Sequence, residues 1–303
     1  MKAVVLTAGR PSACTPLTAT RDLADLPVAN ATLLSRQHAA LERAGFDLSA
    51  TPQSGERRLT LPGTAWLPQE VLAEAAGAAG PAVITDTNGR PLAWINDSEE
   101  QPAHGFACIN TGEGFTIRYP WDLLALNERL IPEATRAASA SSAAVISANV
   151  HVNGTLAAGE GTVVLPGVYI EGDVLIGRNC KIGPNCYIRG PVALGDNCHI
   201  GQAVELKTMV AMQNTSIAHL SYCGDSVIGE HVNFGAGTIT AYFRHDGKQH
   251  RSMVDGELVK TGRRKFGTIV GDRVHTGIHT SIYPGRKLWP DTMTRPGTVV
   301  QKD

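Results

Sequence analysis

From residue 170 onward, aliphatic side chains recur every six positions: Ile170, Ile176, Ile182, Ile188, Leu194, Ile200 and Leu206. A smaller apolar residue stands four beyond each, at Val174, Cys180, Cys186, Val192, Cys198, Val204 and Val210. The pattern resumes at Ile228, Phe234 and Thr240, and again at Val270, Thr276, Ile282, Leu288, Thr294 and Val300. A period of six fits neither an α-helix at 3.6 nor a lone strand at 2. It fits a short strand followed by a corner, three of which close one triangular coil of a parallel β-helix. The aliphatic fills the prism and the small residue sits beside it. Gly177, Gly183, Gly195 and Gly201 follow the aliphatics and are expected to supply corner conformations. Two breaks are expected, one at about 212–227 and the other a loop extruded over 241–267.

Ahead of the repeat the pattern changes. Lys2–Ala8 reads as a buried strand. Thr32–Ala44 reads as a helix with Leu33, Leu34, Gln37, Leu41 and Ala44 on one face and Gly45 as its stop. Pro68–Ala76 is a second helix, and Ala82–Thr85 and Leu92–Ile95 are strands around a turn at Asn88-Gly89. Trp121–Leu130 reads as a helix leading out, and Ala137–Ala144 as an Ala/Ser linker. The expected organisation is a small α/β domain over 1–136 with its linker helix, then a β-helix over 145–303 with the inserted loop.

Composition alters this picture little. The chain of 303 residues is 43% hydrophobic and 18% charged, with a formal net charge of −1. That balance gives no electrostatic case for nucleic acid or an anionic membrane surface. The opening apolar run is too short for a signal peptide, and no stretch reaches the length of a membrane span. The six cysteines form no C-x-x-C pair, so reduced thiols in the cytoplasm are expected. Cys180, Cys186 and Cys198 occupy the small inward position, where a thiol packs as a compact hydrophobe.

The period also places chemistry. Arg189 and Lys207 are 18 residues apart, one full coil, and each follows the aliphatic of its repeat. They should therefore stack about 4.8 Å apart on one face. Two cations that close repel unless an anion lies against them, and a phosphate suits an Arg fork beside a Lys point charge. Glu205 nearby is an alternative counter-charge. The loop over 241–267 gathers Arg244, Lys248, Arg251, Lys260, Arg263, Arg264 and Lys265 against Asp246, Asp255 and Glu257. It reads either as a solvated face or as a basic flap over a phosphorylated ligand, with Lys248 the candidate contact.

Three stretches, Gly201-Gln202-Ala203-Val204-Glu205-Leu206-Lys207, Ala218-His219-Leu220-Ser221-Tyr222-Cys223-Gly224-Asp225 and Val232-Asn233-Phe234-Gly235-Ala236-Gly237-Thr238-Ile239, closely resemble one family. It is the acetyltransferase half of the bifunctional N-acetylglucosamine-1-phosphate uridylyltransferase/glucosamine-1-phosphate acetyltransferases. Arg244-His245-Asp246 and Thr261-Gly262-Arg263-Arg264-Lys265 look like its archaeal-type branch. The resemblance implies a left-handed β-helix, a homotrimer, and acetyl-CoA sites between subunits. It implies His219 as general base, with Arg189, Lys207 and Tyr222 on the substrate phosphate and Asn233 on the sugar. Ala236 and Gly237 would serve the acyl group or CoA. A histidine suits proton removal near neutrality, and backbone N–H groups around Gly235-Ala236-Gly237 suit a thioester oxyanion. Tyr242 stands where the family has Asn, and Ile278 where a Ser meets CoA.

Thr7-Ala8-Gly9 and Pro16-Leu17-Thr18-Ala19-Thr20-Arg21 resemble a sugar nucleotidylyltransferase opening, with the phosphate loop between them altered. Pro11 replaces a glycine, Ala13 the catalytic Arg, and Leu23 a Lys. Pro11 removes an N–H donor and the other two remove charge. The domain is also shorter than the family's.

The expectation is an acyl-CoA-dependent N-acyltransferase on a phosphorylated or nucleotide-linked amino sugar. Sugar-1-phosphate nucleotidyl transfer is the alternative, and only it would call for Mg²⁺. A non-catalytic trimeric sugar-phosphate-binding protein is a further one. A zinc lyase on the same prism finds no ligand spacing among His199, His219, His231, His275 and His279.

Overall fold

The computed structural model describes residues 1–49, 52–101 and 106–302. The chain divides into two compact units. The first comprises Met1–Pro11, Asp22–Leu26 and Ala31–Arg118. Its five-stranded sheet runs Lys2–Leu6, Arg58–Pro62, Pro91–Asn96, Ala82–Thr85, Ala107–Asn110 in space, with both parallel and antiparallel pairs. Helix α1 (Leu33–Arg43) is capped by Thr32, whose hydroxyl accepts the Ser35 N–H, and it buries Leu33, Gln37, Ala40 and Leu41. Gly45 at φ +85° ends it. Helix α2 (Gln69–Ala76) and the Asn88-Gly89 turn lie where the sequence puts them.

The second unit comprises Tyr119–Asp303 together with Ser12–Arg21 and Pro27–Asn30. The division therefore departs from the expected one at 136–145. Helix α3 (Pro120–Ser139) is twice the expected length and runs into the start of the supposed linker, over residues 137–139. Pro132 inside it has no N–H to give, which costs one helical bond. Apolar burial offsets that loss: Leu130, Ile131, Ala134 and Ala138 pack on Ala157, Leu175, Ala193 and Val210.

Beyond α3 the chain is a parallel β-solenoid of about nine turns. A seven-stranded ladder from Val145–Ile146 to His275–Thr276 forms one face. An eleven-stranded sheet covers the other two, its long strands His151–Ala158, Tyr169–Ile176, Tyr187–Leu194 and Glu205–Ala211 turning a corner on the way. After these it forks into separate arms at Tyr222–Gly224 and Val227–Ile228. The predicted aliphatics and the three cysteines line one continuous interior. Burial pushes the Cys186 thiol up to about 11 and Cys223 up to about 12, which keeps them protonated.

Three expectations change. The repeat glycines serve close approach more than torsion: only Gly183 of the four has positive φ. A Cβ at Gly201 would lie 1.8 Å from the Ala218 carbonyl oxygen, and one at Gly195 2.6 Å from the Gln213 nitrogen. The left-handed corners fall instead on columns such as Asn179, Asn197 and Asn214, where Asn tolerates the conformation.

Residues 212–227 are not a break. Ile217 and Cys223 fill the prism in a regular coil. What fails is the phase, because the register slips by one residue between Arg189 and Val192 against Lys207 and Met209. The slip also turns Val210 outward, against α3, and brings Met209 and Ala211 inward. The insertion at 241–267 is present, built on a hairpin of Arg251–Val254 and Glu257–Lys260.

Candidate functional site

Arg189 and Lys207 are cross-strand partners, as their spacing requires. Tyr222 pairs with Glu205 in the adjacent outward column. The structure thus brings Arg189, Lys207 and Tyr222 onto one face. It also supplies counter-charges: the Glu205 that the sequence offers as an alternative, and Asp225, which it does not assign. Arg189 is ion-paired with Glu205, and Lys207 Nζ lies 2.8 Å from the Asp225 carboxylate. Asp225 is almost fully buried, and it reaches Arg263 at 3.8 Å. Arg263 in turn grips Glu128 of α3 with both terminal nitrogens. The internal counter-charge that the sequence offers in Glu205 is present on Arg189, and Lys207 has a second one in Asp225.

Two donors at this face remain unmatched. Arg189 Nε and the Tyr222 hydroxyl are buried with no hydrogen-bond partner among the described residues. Tyr222 lies over Gly224, where a Cβ would come within 2.4 Å of its oxygen. Burial first, and then the neighbouring Tyr242 and Asp225, hold its ionisation above the usual phenol range, so it stays a donor. Tyr242 packs 5.7 Å from the Tyr222 ring and 5.2 Å from Lys207 Nζ, a cation–π distance. Buried donors of this kind are costly without an acceptor, so both would favour an oxygen laid against this face.

His219 ends the strand Ser216–His219, level with Gln202 of the preceding coil, and is exposed. It stands at a corner of a regular coil, so its placement does not come from the chain leaving the prism. Leu220 follows at φ +50°. Asn233 is exposed on the next coil of the His219 face, paired with Ser216 and His275. The candidate set therefore spans two adjacent faces: His219 and Asn233 on one, Arg189, Lys207 and Tyr222 on the other.

Of the candidate oxyanion donors, Gly235 N–H is spent on Thr276 and Gly237 N–H on the His219 carbonyl at 3.1 Å. Ala236 N–H alone of the three has no partner among the described residues. Its carbonyl accepts from His279 N–H at 2.8 Å.

The insertion carries the remaining charge. Arg244 holds Asp246 through two bonds of 2.8 and 2.7 Å. A groove of about 570 Å³ beside them is lined by Lys248, Arg251, Lys260 and Arg264. None of these four forms an ion pair among the described residues. An adjoining groove shares Arg264 and includes Asp225, Phe243, Arg263 and Lys265.

The stretch just beyond the altered phosphate loop is held by ion pairs within the second unit. Thr20 Oγ1 donates to Asp272, and the Arg21 guanidinium is clamped by Glu230 and Asp272. Among the described residues no group of three His, Cys, Asp or Glu is placed to hold a metal, and no helix is long and apolar enough to cross a membrane.

Fold and site together define a hexapeptide-repeat β-solenoid with an oxygen-seeking edge. Residues 170–285 match the family model described as the GMPPB C-terminal domain. A bifunctional protein GlmU of Methanococcus maripaludis is 49% identical over 187 residues, 62% of this chain and 44% of its own length. A bifunctional sugar-1-phosphate nucleotidylyltransferase/acetyltransferase of Sulfurisphaera tokodaii is 48% identical over 101 residues, 33% of this chain and 25% of its own. This chain thus spans less than half the length of either relative. Among solved structures, PerB of Caulobacter crescentus, in complex with CoA and GDP-perosamine, is 21% identical with a TM-score of 0.20, covering 50% of this chain and 48% of its own.

Proposed function

We propose that the solenoid transfers an acyl group from acyl-CoA to the amine of a phosphorylated or nucleotide-linked amino sugar. One observation carries the reading: Lys207, Tyr222 and Arg189, resembling the acetyltransferase set, converge on a face whose Tyr222 hydroxyl and Arg189 Nε lack acceptors among the described residues. A sugar oxygen is such an acceptor. The Sulfurisphaera tokodaii relative, named a bifunctional sugar-1-phosphate nucleotidylyltransferase/acetyltransferase, supports acetyl transfer.

In this reading the amine attacks the thioester carbonyl carbon and loses a proton to His219. The C–S bond breaks and CoA leaves as the thiol. Ala236 N–H serves the oxyanion, with Asn233 on the sugar. The two-face layout calls for a site at an edge, consistent with an assembly of three chains in which a neighbour closes the other side. Nucleotidyl transfer is the weaker reading, since Pro11, Ala13 and Leu23 withdraw one donor and two charges from its phosphate site, and Arg21 beyond the loop is already held by two carboxylates.

The test is CoA thiol release from acetyl-CoA across a panel of amino sugars, their 1-phosphates and their nucleotide derivatives. His219→Ala should lower the rate by about 10²–10⁴-fold, the usual contribution of a general base. An unchanged rate with the correct product would remove His219 from the chemistry.

A further inference from the structure

Resting on that reading, we propose that the acyl acceptor is a nucleoside-diphosphate-linked amino sugar and that its diphosphate lies in the groove of the insertion hairpin. The inference comes from where charge is cancelled and where it is not.

A sugar 1-phosphate presents a terminal group close to a dianion near neutral pH. Its site must offer net positive charge, because taking such a group out of water is costly without it. On the face itself Arg189 and Lys207 each have a carboxylate partner, and the cations lining the groove with Asp225 that have no ion pair among the described residues, Arg264 and Lys265, belong to the insertion. Arg189 is paired with Glu205, Lys207 with Asp225, and Arg263 with Glu128. Lys207 is further covered by the Tyr242 ring. What the face offers without a partner among the described residues is the Tyr222 hydroxyl and the charge-balanced Arg189 Nε, beside two tyrosine rings. Donors beside aromatic faces suit an uncharged sugar ring.

Uncancelled positive charge sits on the insertion. Lys248, Arg251, Lys260 and Arg264 are exposed around one groove, and its only carboxylate, Asp246, is already held by Arg244. The groove is continuous with the inner face by way of Arg263 and Arg264, since Arg263 reaches Asp225 and Arg264 lines both grooves. An acceptor with a neutral sugar at one end and a charged linkage further out matches that order. A diphosphate has oxygens enough for several charge-assisted bonds to Arg and Lys. Acyl-CoA also carries a nucleoside diphosphate, so the experiment separates the two sources.

The test measures binding of UDP, GDP and dTDP, and separately of CoA and adenosine 3′,5′-bisphosphate, to the full chain by calorimetry. Both the natural sequence and the double variant Lys260→Ala/Arg264→Ala are titrated. At least one nucleoside diphosphate should bind, and the variant should weaken it about tenfold or more while CoA binding is unchanged. Loss of CoA affinity instead assigns the groove to the donor and overturns the proposal, as does unaltered nucleotide binding. These readouts need no acyl transfer, so they stand apart from any failure of the reaction itself. Where thiol release is observed, kcat/KM for the nucleotide-linked sugar should exceed that for the 1-phosphate by at least about tenfold, and the reverse order sinks the idea.

Discussion

Two faces of the solenoid share one interior and differ in what they turn outward. On the third face the outward column runs Ala157, Leu175, Ala193, Val210, Val227 and Ile269, every one buried. On the second face the equivalent column runs His151, Tyr169, Tyr187, Glu205, Tyr222 and Ile239, with Arg189 and Lys207 beside it. The inward aliphatics that set the period are alike on both. Period alone therefore fixes the coil, while the residues next to each aliphatic decide whether a face is covered or works. Helix α3 covers the third face, and the second keeps its polar and aromatic groups for other partners.

The sharpest way to break that comparison is to put the same charge on each face. Leu175→Lys places an ammonium beneath α3 with no counter-charge and should cost about 4 kcal/mol or more, measured by urea denaturation. Tyr169→Lys, on an exposed ring of the second face, should change stability by less than about 1 kcal/mol. Equal costs would mean that the second face is covered too.

A smaller effect tests how the N-terminal segment is held to the same unit. Arg21→Ala leaves Glu230 and the buried Asp272 without their cation, a loss of roughly 3 kcal/mol for a broken buried pair. Limited proteolysis should then cut within residues 12–21. Resistance equal to the parent would show that the clamp contributes nothing.

How much of this was legible follows the same division. The inward positions were, down to the cysteines, because burial imposes one residue class every six. Arg189 over Lys207 was legible too, since spacing of one coil needs no other information. The false break at 212–227 came from one residue missing at the Lys207–Met209 corner, which shifts the phase without disturbing the coil. Asp225 and Arg263 were hidden because their partners are distant in sequence: Lys207 lies a coil away and Glu128 lies in α3. The length of α3 had a signal that was not used. Outward apolar residues at Leu175, Ala193 and Val210 demand a cover.

The insertion offers a milder, pH-dependent test. His250 is buried, and its Nε2–H donates to the Tyr242 carbonyl at 3.0 Å. Burial outweighs that bond and holds the imidazole below its ordinary value. In the unfolded chain the ring protonates below about 6.5, while in the folded chain it resists. Its contribution is thus complete above that pH and declines as pH falls toward the depressed value. Amide exchange over 251–260, corrected for intrinsic rates, should quicken between pH 7.5 and 5.5, and His250→Gln should remove the pH dependence. A parent that shows no change would exclude the switch.

The smallest expected effect concerns the corner beside His219. Gly167, Asn185, Ala203, Leu220, Gly237, His279 and Gly297 all take positive φ in one stacked column. Glycine and asparagine accept that conformation readily, but leucine pays about 1 kcal/mol for it. Leu220 is 63% exposed, so packing within the chain does not offset the strain. Strain retained next to a proposed base is expected where the side chain meets something outside the chain, such as an acyl group or a neighbouring copy. Leu220→Gly should therefore raise the stability of the chain by roughly 0.5 kcal/mol, less than the full strain because glycine also loosens the unfolded state. The same variant should lower kcat/KM for acyl transfer severalfold. A gain in stability with unaltered kinetics would make Leu220 an idle strain, and the second face would then owe its function to the charged and aromatic columns alone.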